Sequence, residues 1–168
     1  ARHIPLDDVK AIADRTGAQV GDLILIVAGP PATTNLALSA LRSEMANRLE
    51  LVDPALLAFG FVVDFPLFEW DEQQGRWDAA HHAFTTPKAG YEQYLESEPG
   101  KVIAHCYDLV CNGSELASGS IRVHQRELQE RIFGLLRYTP EQTEERFGHL
   151  LEALEYGAPP HGGIASGI

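Results

Sequence analysis

Asp108, Glu115 and Arg122 are the residues of this sequence whose types and spacing could do chemistry together. The two acids flank an Asn112-Gly113 pair in the stretch YDLVCNGSELASGSIRV. Asn-Gly between two apolar-rich runs is the strongest short hairpin signal, because a type I′ turn needs positive φ at both central residues. With these two residues as the loop, Cys111 faces Ser114, Val110 faces Glu115 and Asp108 faces Ala117. Directly opposed residues point to one side of a sheet, so Asp108 and Glu115 share a face as diagonal neighbours roughly 7 Å apart. One cation could bridge them. Mg²⁺ carrying a phosphate would suit, since it keeps several waters and takes few protein ligands. A solvated sheet face bearing two acids is the alternative. Leu109, Cys111 and Leu116 take the other face and read as core.

Arg122 lies seven residues beyond Glu115, so strict alternation sends it to the core face. The run Ala117-Ser118-Gly119-Ser120 intervenes, and a glycine inside a strand often marks a bulge. One bulge within Glu115–Ser120 returns Arg122 to the carboxylate face. There its guanidinium could grip a substrate carboxylate bidentately. An ordinary edge ion pair is the alternative.

The stretch DAAHHAFTTPK adds the adjacent pair His81 and His82. A zinc site would want spaced ligands, and the chain has neither CxxC nor HxxxH. Adjacent histidines in a strand face opposite ways, so at most one meets a pocket unless the strand ends there. Packing is the plainer role for the pair. Cys106 and Cys111 lie five apart in a strand-like run, so alternation points them to opposite faces. They read as packing residues, and this cysteine usage fits a reducing cytosol.

The elements that must position these groups are partly legible. PLDDVKAIADRTG predicts a short helix with Asp7 or Asp8 near its start and Gly17 as its stop. DLILIVAG reads as a strand buried on both faces, and GPPATTN as a turn-rich candidate boundary. A helix follows, with Leu38, Leu41, Met45 and Leu49 at three- and four-residue steps. FGFVVDFPLFEWD and RWDAAHHAF are strand-like, separated by EQQG. RELQERIFGLL places Leu128, Ile132, Leu135 and Leu136 on one stripe. TPEQ is a capping box, with Thr139 as N-cap and Pro140 at the first helical position. The helix it opens turns Phe147, Leu150, Leu151 and Leu154 inward. The architecture is α+β, antiparallel strands with helices on one side.

Composition sets the outer limits. The 168 residues are 45% hydrophobic and 22% charged, an ordinary globular balance. A formal charge of -11 argues against a phosphate-backbone binding surface but allows a carboxylate-rich site for a metal-nucleotide. No apolar run approaches the roughly 20 residues of a membrane span. Both ends look cut: the chain opens at ARHIPLDD without an initiator Met and closes at GGIASGI.

FVVDFPLFEWD, WDAAHHAFT, YDLVCNGSELASGSIRVH and EYGAPPHGGIASGI occur in an order and spacing that resembles the bacterial-type aspartyl-tRNA synthetases. These are class II enzymes of the Asp/Asn/Lys subgroup, and the resemblance covers the whole chain. It implies that residues 1–30 are the C-terminal part of an α/β insertion (GAD-like) domain. Residues 31–168 would be the second half of the class II catalytic core, cut within its third motif. By resemblance, Asp108 and Glu115 hold Mg²⁺, and Glu115 with Ser118 contacts ATP. His81, His82 and Arg122 bind the amino acid aspartate, His81 being the usual contact, and Arg122 and Glu115 serve catalysis. Gly167 and Ile168 border the ATP adenine. The implied partners are L-aspartate, ATP and, for the full-length protein, tRNA; that protein would be a cytoplasmic homodimer, not membrane-bound. Ala83 stands where the family usually has Pro, Ala117-Ser118-Gly119 where it has three glycines, and Ser166 where it has Phe or a similar residue. The implied function is that of a fragment of an aspartate–tRNA ligase, with the isolated chain inactive. A non-catalytic binding or regulatory module derived from such an enzyme is the alternative, and a metal-dependent hydrolase is a third. Whether the parent charges only tRNA-Asp or also tRNA-Asn stays open.

Overall fold

The computed structural model describes residues 3–167 and divides into two compact units, the second beginning at Leu57. In the first unit, α1 (Leu6–Thr16) carries Asp7 and Asp8 in its first turn. Both acids favour the positive end of the helix dipole there. Gly17 ends the helix at φ 68°, a left-handed conformation glycine adopts without steric cost. α2 (Pro31–Arg48) opens on proline at its first position. Leu41 and Met45 of its expected stripe are half-buried, whereas Leu38 and Leu49 are exposed.

One expectation fails in this unit. DLILIVAG is not a strand, and Leu23 and Ile26 are 73% and 59% exposed. A strand buried on both faces needs neighbouring strands and two covering layers. Among the described residues of this unit no other segment forms a strand, so the apolar run has no ladder to join. The compact units part after Leu56, beyond α2.

The second unit holds the antiparallel strands β1 (Phe59–Val63), β4 (Cys106–Cys111), β5 (Ser114–Ile121) and β6 (Gly162–Ser166), paired in the order β1-β4-β5-β6. β2 (Phe68–Asp71) and β3 (Arg76–Ala79) form a separate hairpin. FGFVVDFPLFEWD is therefore two strands. It breaks where Asp64 takes φ 65°, two residues before Pro66.

α3 (Arg126–Leu135) and α4 (Pro140–Glu155) complete the unit. Leu128, Ile132 and Leu136 are buried, and they join Leu67, Phe68, Leu95, Val102, Cys106 and Val123 in the core. The capping box at Thr139 is formed: its hydroxyl accepts from the Gln142 N–H, while Gln142 Oε1 accepts from the Thr139 N–H. Phe133 stacks on Phe147 with centroids 4.6 Å apart, which ties α3 to α4.

β5 and β6 approach so closely at Gly119 that a Cβ there would lie 2.3 Å from the Gly163 carbonyl oxygen and 2.5 Å from Tyr107 Cε2. Gly119→Ala should lower unfolding free energy by about 2 kcal/mol in urea titrations. Gly134→Ala, in open space on α3, should raise it by up to ~1 kcal/mol. A Gly119→Ala chain as stable as the parent would refute the close approach.

Candidate active site

Asn112 and Gly113 take φ 51° and 83°, the two positive values a type I′ turn requires. From that turn the ladder runs Cys111 opposite Ser114 and Val110 opposite Glu115. Then the register shifts: Leu109 pairs with Ala117, leaving Leu116 as one extra residue in β5. Beyond the bulge Asp108 faces Ser118 and Cys106 faces Ser120. The pairing of Asp108 with Ala117, drawn from an unbroken hairpin, is thus off by one. Leu116 is also misplaced by that drawing; it is 41% exposed, while Ala117 is 5% exposed and takes the interior position.

The bulge decides which side chains meet. Glu115 shares a face with Val110, Asp108 lies two residues along the same strand, and Ser118 and Ser120 join them from β5. Arg122 follows two residues later. Its Nη1 is 3.1 Å from Nδ1 of His82 and also contacts Nε2. Ser120 Oγ lies 3.4 Å from the same His82 ring, which fixes Ser120 and Arg122 on one side. Asp108 is half-buried and Glu115 exposed, and neither has an ion-pair partner among the described residues.

His82 owes its place to the end of β3 at Ala79, after which alternation no longer governs the two histidines. Thr85 Oγ1 approaches its ring at 3.4 Å, and the Phe84 N–H donates to Nδ1 at 3.2 Å. Burial, then the Arg122 charge, then His81, holds the His82 pKa below its ordinary value. A neutral imidazole has one acceptor nitrogen, and two donors, the Phe84 N–H and the Arg122 guanidinium, compete for it. The arginine is therefore held by a contact it can exchange for a better acceptor. His81 goes elsewhere: it is exposed and sits edge-on to Phe65, centroids 5.1 Å apart.

Three supporting residues were not anticipated from sequence. Gln129 is 1% exposed on α3, and its Nε2 donates to the Ala83 carbonyl at 2.6 Å, anchoring the loop that carries His82. Thr85 and Ser120, 1% and 2% exposed, wall the ring. Serine and threonine in strand-like runs give no sign of this in one sequence. A cavity of about 490 Å³ lies beside them, lined by Arg122, Phe84, Gln129, Leu150, His161 and Gly162.

The far end of the face gathers the remaining candidates. The Gly167 N–H donates to the Leu116 carbonyl at 2.8 Å, so the bulge also seats the chain beyond β6. Gly167, Glu115 and Ser118 thus cluster around it, while Ile168 lies outside the described residues. Among the described residues no group of three His, Cys, Asp or Glu is placed to hold a metal ion. Cys106, on the same face, has its thiol pKa raised by burial and then by the Asp108 charge, which keeps it an inert packing group.

A family model described as tRNA synthetases class II (D, K and N) matches residues 19–168. The Aspartate–tRNA(Asp/Asn) ligase of Dehalococcoides mccartyi is 54% identical over 168 residues, covering 100% of this chain and 28% of the relative. The protein of the same name from Heliobacterium modesticaldum is 49% identical over 168 residues, again covering 100% and 28%. That of Mycobacterium leprae is 48% identical over 166 residues, covering 93% and 28%. The chain thus spans 28% of the length of these curated relatives. Among solved structures, an aspartyl tRNA synthetase from Entamoeba histolytica is similar with a TM-score of 0.47 and 17% identity, covering 96% of this chain and 26% of that one.

The depressed His82 pKa gives a signed expectation. Between its folded value and the ordinary 6.5, the unfolded chain holds the extra proton. The stability this group contributes is fully present above about 6.5 and is lost as pH falls through the folded value. The His82 ring protons, followed by NMR, should titrate with a midpoint below 6.5, and Arg122→Leu should move that midpoint upward. A midpoint at or above 6.5 in the parent chain would contradict the geometry.

Proposed function

The chain belongs to the class II tRNA synthetases of the D, K and N type, and on that premise we propose that it supplies the aspartate- and ATP-facing part of an aspartate–tRNA ligase core. The observation that carries this reading is the single face shared by Asp108, Glu115, Ser118, Ser120 and Arg122, with His82 against the arginine. The parent reaction joins L-aspartate and ATP into aspartyl-adenylate and passes aspartate to tRNA. The relatives' printed name extends the tRNA partners to tRNA-Asp and tRNA-Asn, and we carry that breadth to the parent. In this reading residues 1–30 end an insertion domain, residues 31–168 belong to the core, and the full-length protein is a cytoplasmic homodimer. Among the described residues no helix is long and apolar enough to cross a membrane.

Each residue then has a physical task. Arg122 exchanges its His82 contact for the side-chain carboxylate of aspartate, a fork-to-fork pairing with both partners charged. Asparagine would set amide N–H donors against guanidinium N–H donors, and a closed site rejects such a mismatch by ~10⁴-fold or more. His82, neutral, adds no competing charge beside the fork and returns as the acceptor when the site empties. His81 extends the amino-acid pocket from the Phe65 side.

Asp108 and Glu115 suit Mg²⁺: two uncommitted carboxylates match an ion that keeps its waters and is shared with phosphate. When bound, Mg²⁺ would supply charge neutralisation at the ATP phosphates. Glu115 and Ser118 face the phosphates, and Gly167 borders the adenine. The chain's contribution is positioning and electrostatic stabilisation, with no covalent step of its own.

Aspartate-dependent ATP–pyrophosphate exchange by the full-length protein tests this. Arg122→Lys keeps the charge but loses the fork, so kcat/KM for aspartate should fall at least ~100-fold. Glu115→Gln should raise KM for Mg-ATP far more than KM for aspartate. A parent protein that binds aspartate without catalysing exchange would support a non-catalytic module instead. An Arg122→Lys enzyme with undiminished kcat/KM would remove the arginine from aspartate recognition.

A further inference from the structure

Phe84 also lines a second cleft, of about 700 Å³, that plays no part in the reading above. Three guanidiniums from three separate elements border it: Arg76 at the start of β3, Arg137 just past α3 and Arg146 on α4. Asp78 is the one acid in its lining, 3.2 Å from Arg76 Nε. Yet that buried Nε–H has no acceptor in hydrogen-bonding alignment. Arg137 Nη2 donates to the Gly75 carbonyl at 2.8 Å, and Arg146 lies over the Tyr138 ring at 5.7 Å. Neither has a carboxylate partner among the described residues. The sequence holds 24 acids to 13 lysines and arginines, so two arginines of one cleft without an acidic partner need a reason. Arg137 gives a second sign: it takes φ 64° at a helix-ending position where glycine or asparagine is the ordinary choice.

We propose that this cleft binds a phosphate dianion carried by a small molecule. Three guanidiniums less one carboxylate leave a formal charge of about +2, which a phosphate monoester balances and a single carboxylate does not. Forked N–H donors from separate directions suit its three terminal oxygens. Phe84, Tyr138 and Phe147 line the same space and offer ring faces to the group bearing the phosphate. The net charge of -11 hides this basic cleft because it sums over the whole chain. The proposal stands independently of the Arg122 site.

Calorimetric titration of the chain with phenyl phosphate at low salt is the test, with inorganic phosphate as competitor. Saturable binding below ~1 mM is expected. Arg146→Gln, a substitution that keeps helix propensity at an exposed position, should weaken it about tenfold or more. Arg76→Gln should weaken it similarly, and Arg122→Leu should leave it within about twofold. Circular dichroism checks that each variant is folded. No saturation up to ~10 mM would overturn the proposal. So would sensitivity to Arg122→Leu together with indifference to Arg146→Gln. Displacement by single-stranded RNA lacking terminal phosphates, at lower phosphate concentration than phenyl phosphate, would mark a backbone-binding surface and overturn it too.

Discussion

One residue too many in β5 governs the site. Side chains alternate along a strand, so shifting the count by one exchanges every residue between its two faces. Leu116 absorbs that shift: it leaves the ladder, and Ala117 takes the interior position opposite Leu109. From there Ser118, Ser120 and Arg122 fall on the side of Asp108 and Glu115. The same residue offers its carbonyl to the Gly167 N–H, which aligns the chain beyond β6 with the bulge. The close approach of Gly119 to Gly163 then locks β6 in register, since any side chain at Gly119 would collide with its backbone.

What the bulge delivers is held by a polar network in a partly closed setting. Gln129 reaches from α3 to the Ala83 carbonyl, and this fixes the loop after β3 from which His82 projects. Burial, then the Arg122 charge, lowers the His82 pKa and disfavours its charged form, which lessens repulsion beside the guanidinium. Two donors share the one acceptor nitrogen of His82, and Arg122 is held against the ring by that contact. An arginine in that condition loses little side-chain freedom on binding, and a carboxylate offers it a stronger partner than imidazole. In the proposed reading the fold thus prepares an anion receptor at Arg122.

What the sequence disclosed follows the range of each interaction. The Asn112-Gly113 turn, the Thr139 capping box and the α3 stripe are set by neighbours within a few residues, and all three are present. The need for a bulge was legible from the distance between Glu115 and Arg122, but its position was not. That depends on which residue packs better inside, Leu116 or Ala117. DLILIVAG shows the opposite limit, since an apolar run becomes a strand only where partners exist for its backbone. The choice of His82 over His81 as the arginine's neighbour, and the roles of Gln129, Thr85 and Ser120, are products of tertiary packing. The arginine cleft was masked as well, because Arg76, Arg137 and Arg146 are scattered in sequence and meet only when β3, α3 and α4 pack.

The most direct test of the account is insertion of one alanine between Ser120 and Ile121 of the full-length protein, read by aspartate-dependent ATP–pyrophosphate exchange. The added residue lies beyond the bulge, so Glu115, Ser118 and Ser120 keep their pairing while alternation turns Arg122 from Asp108 and Glu115. The account predicts a protein with its parent's circular dichroism and an exchange rate lower by at least ~10²-fold. Exchange at the parental rate from the folded insertion variant would contradict it.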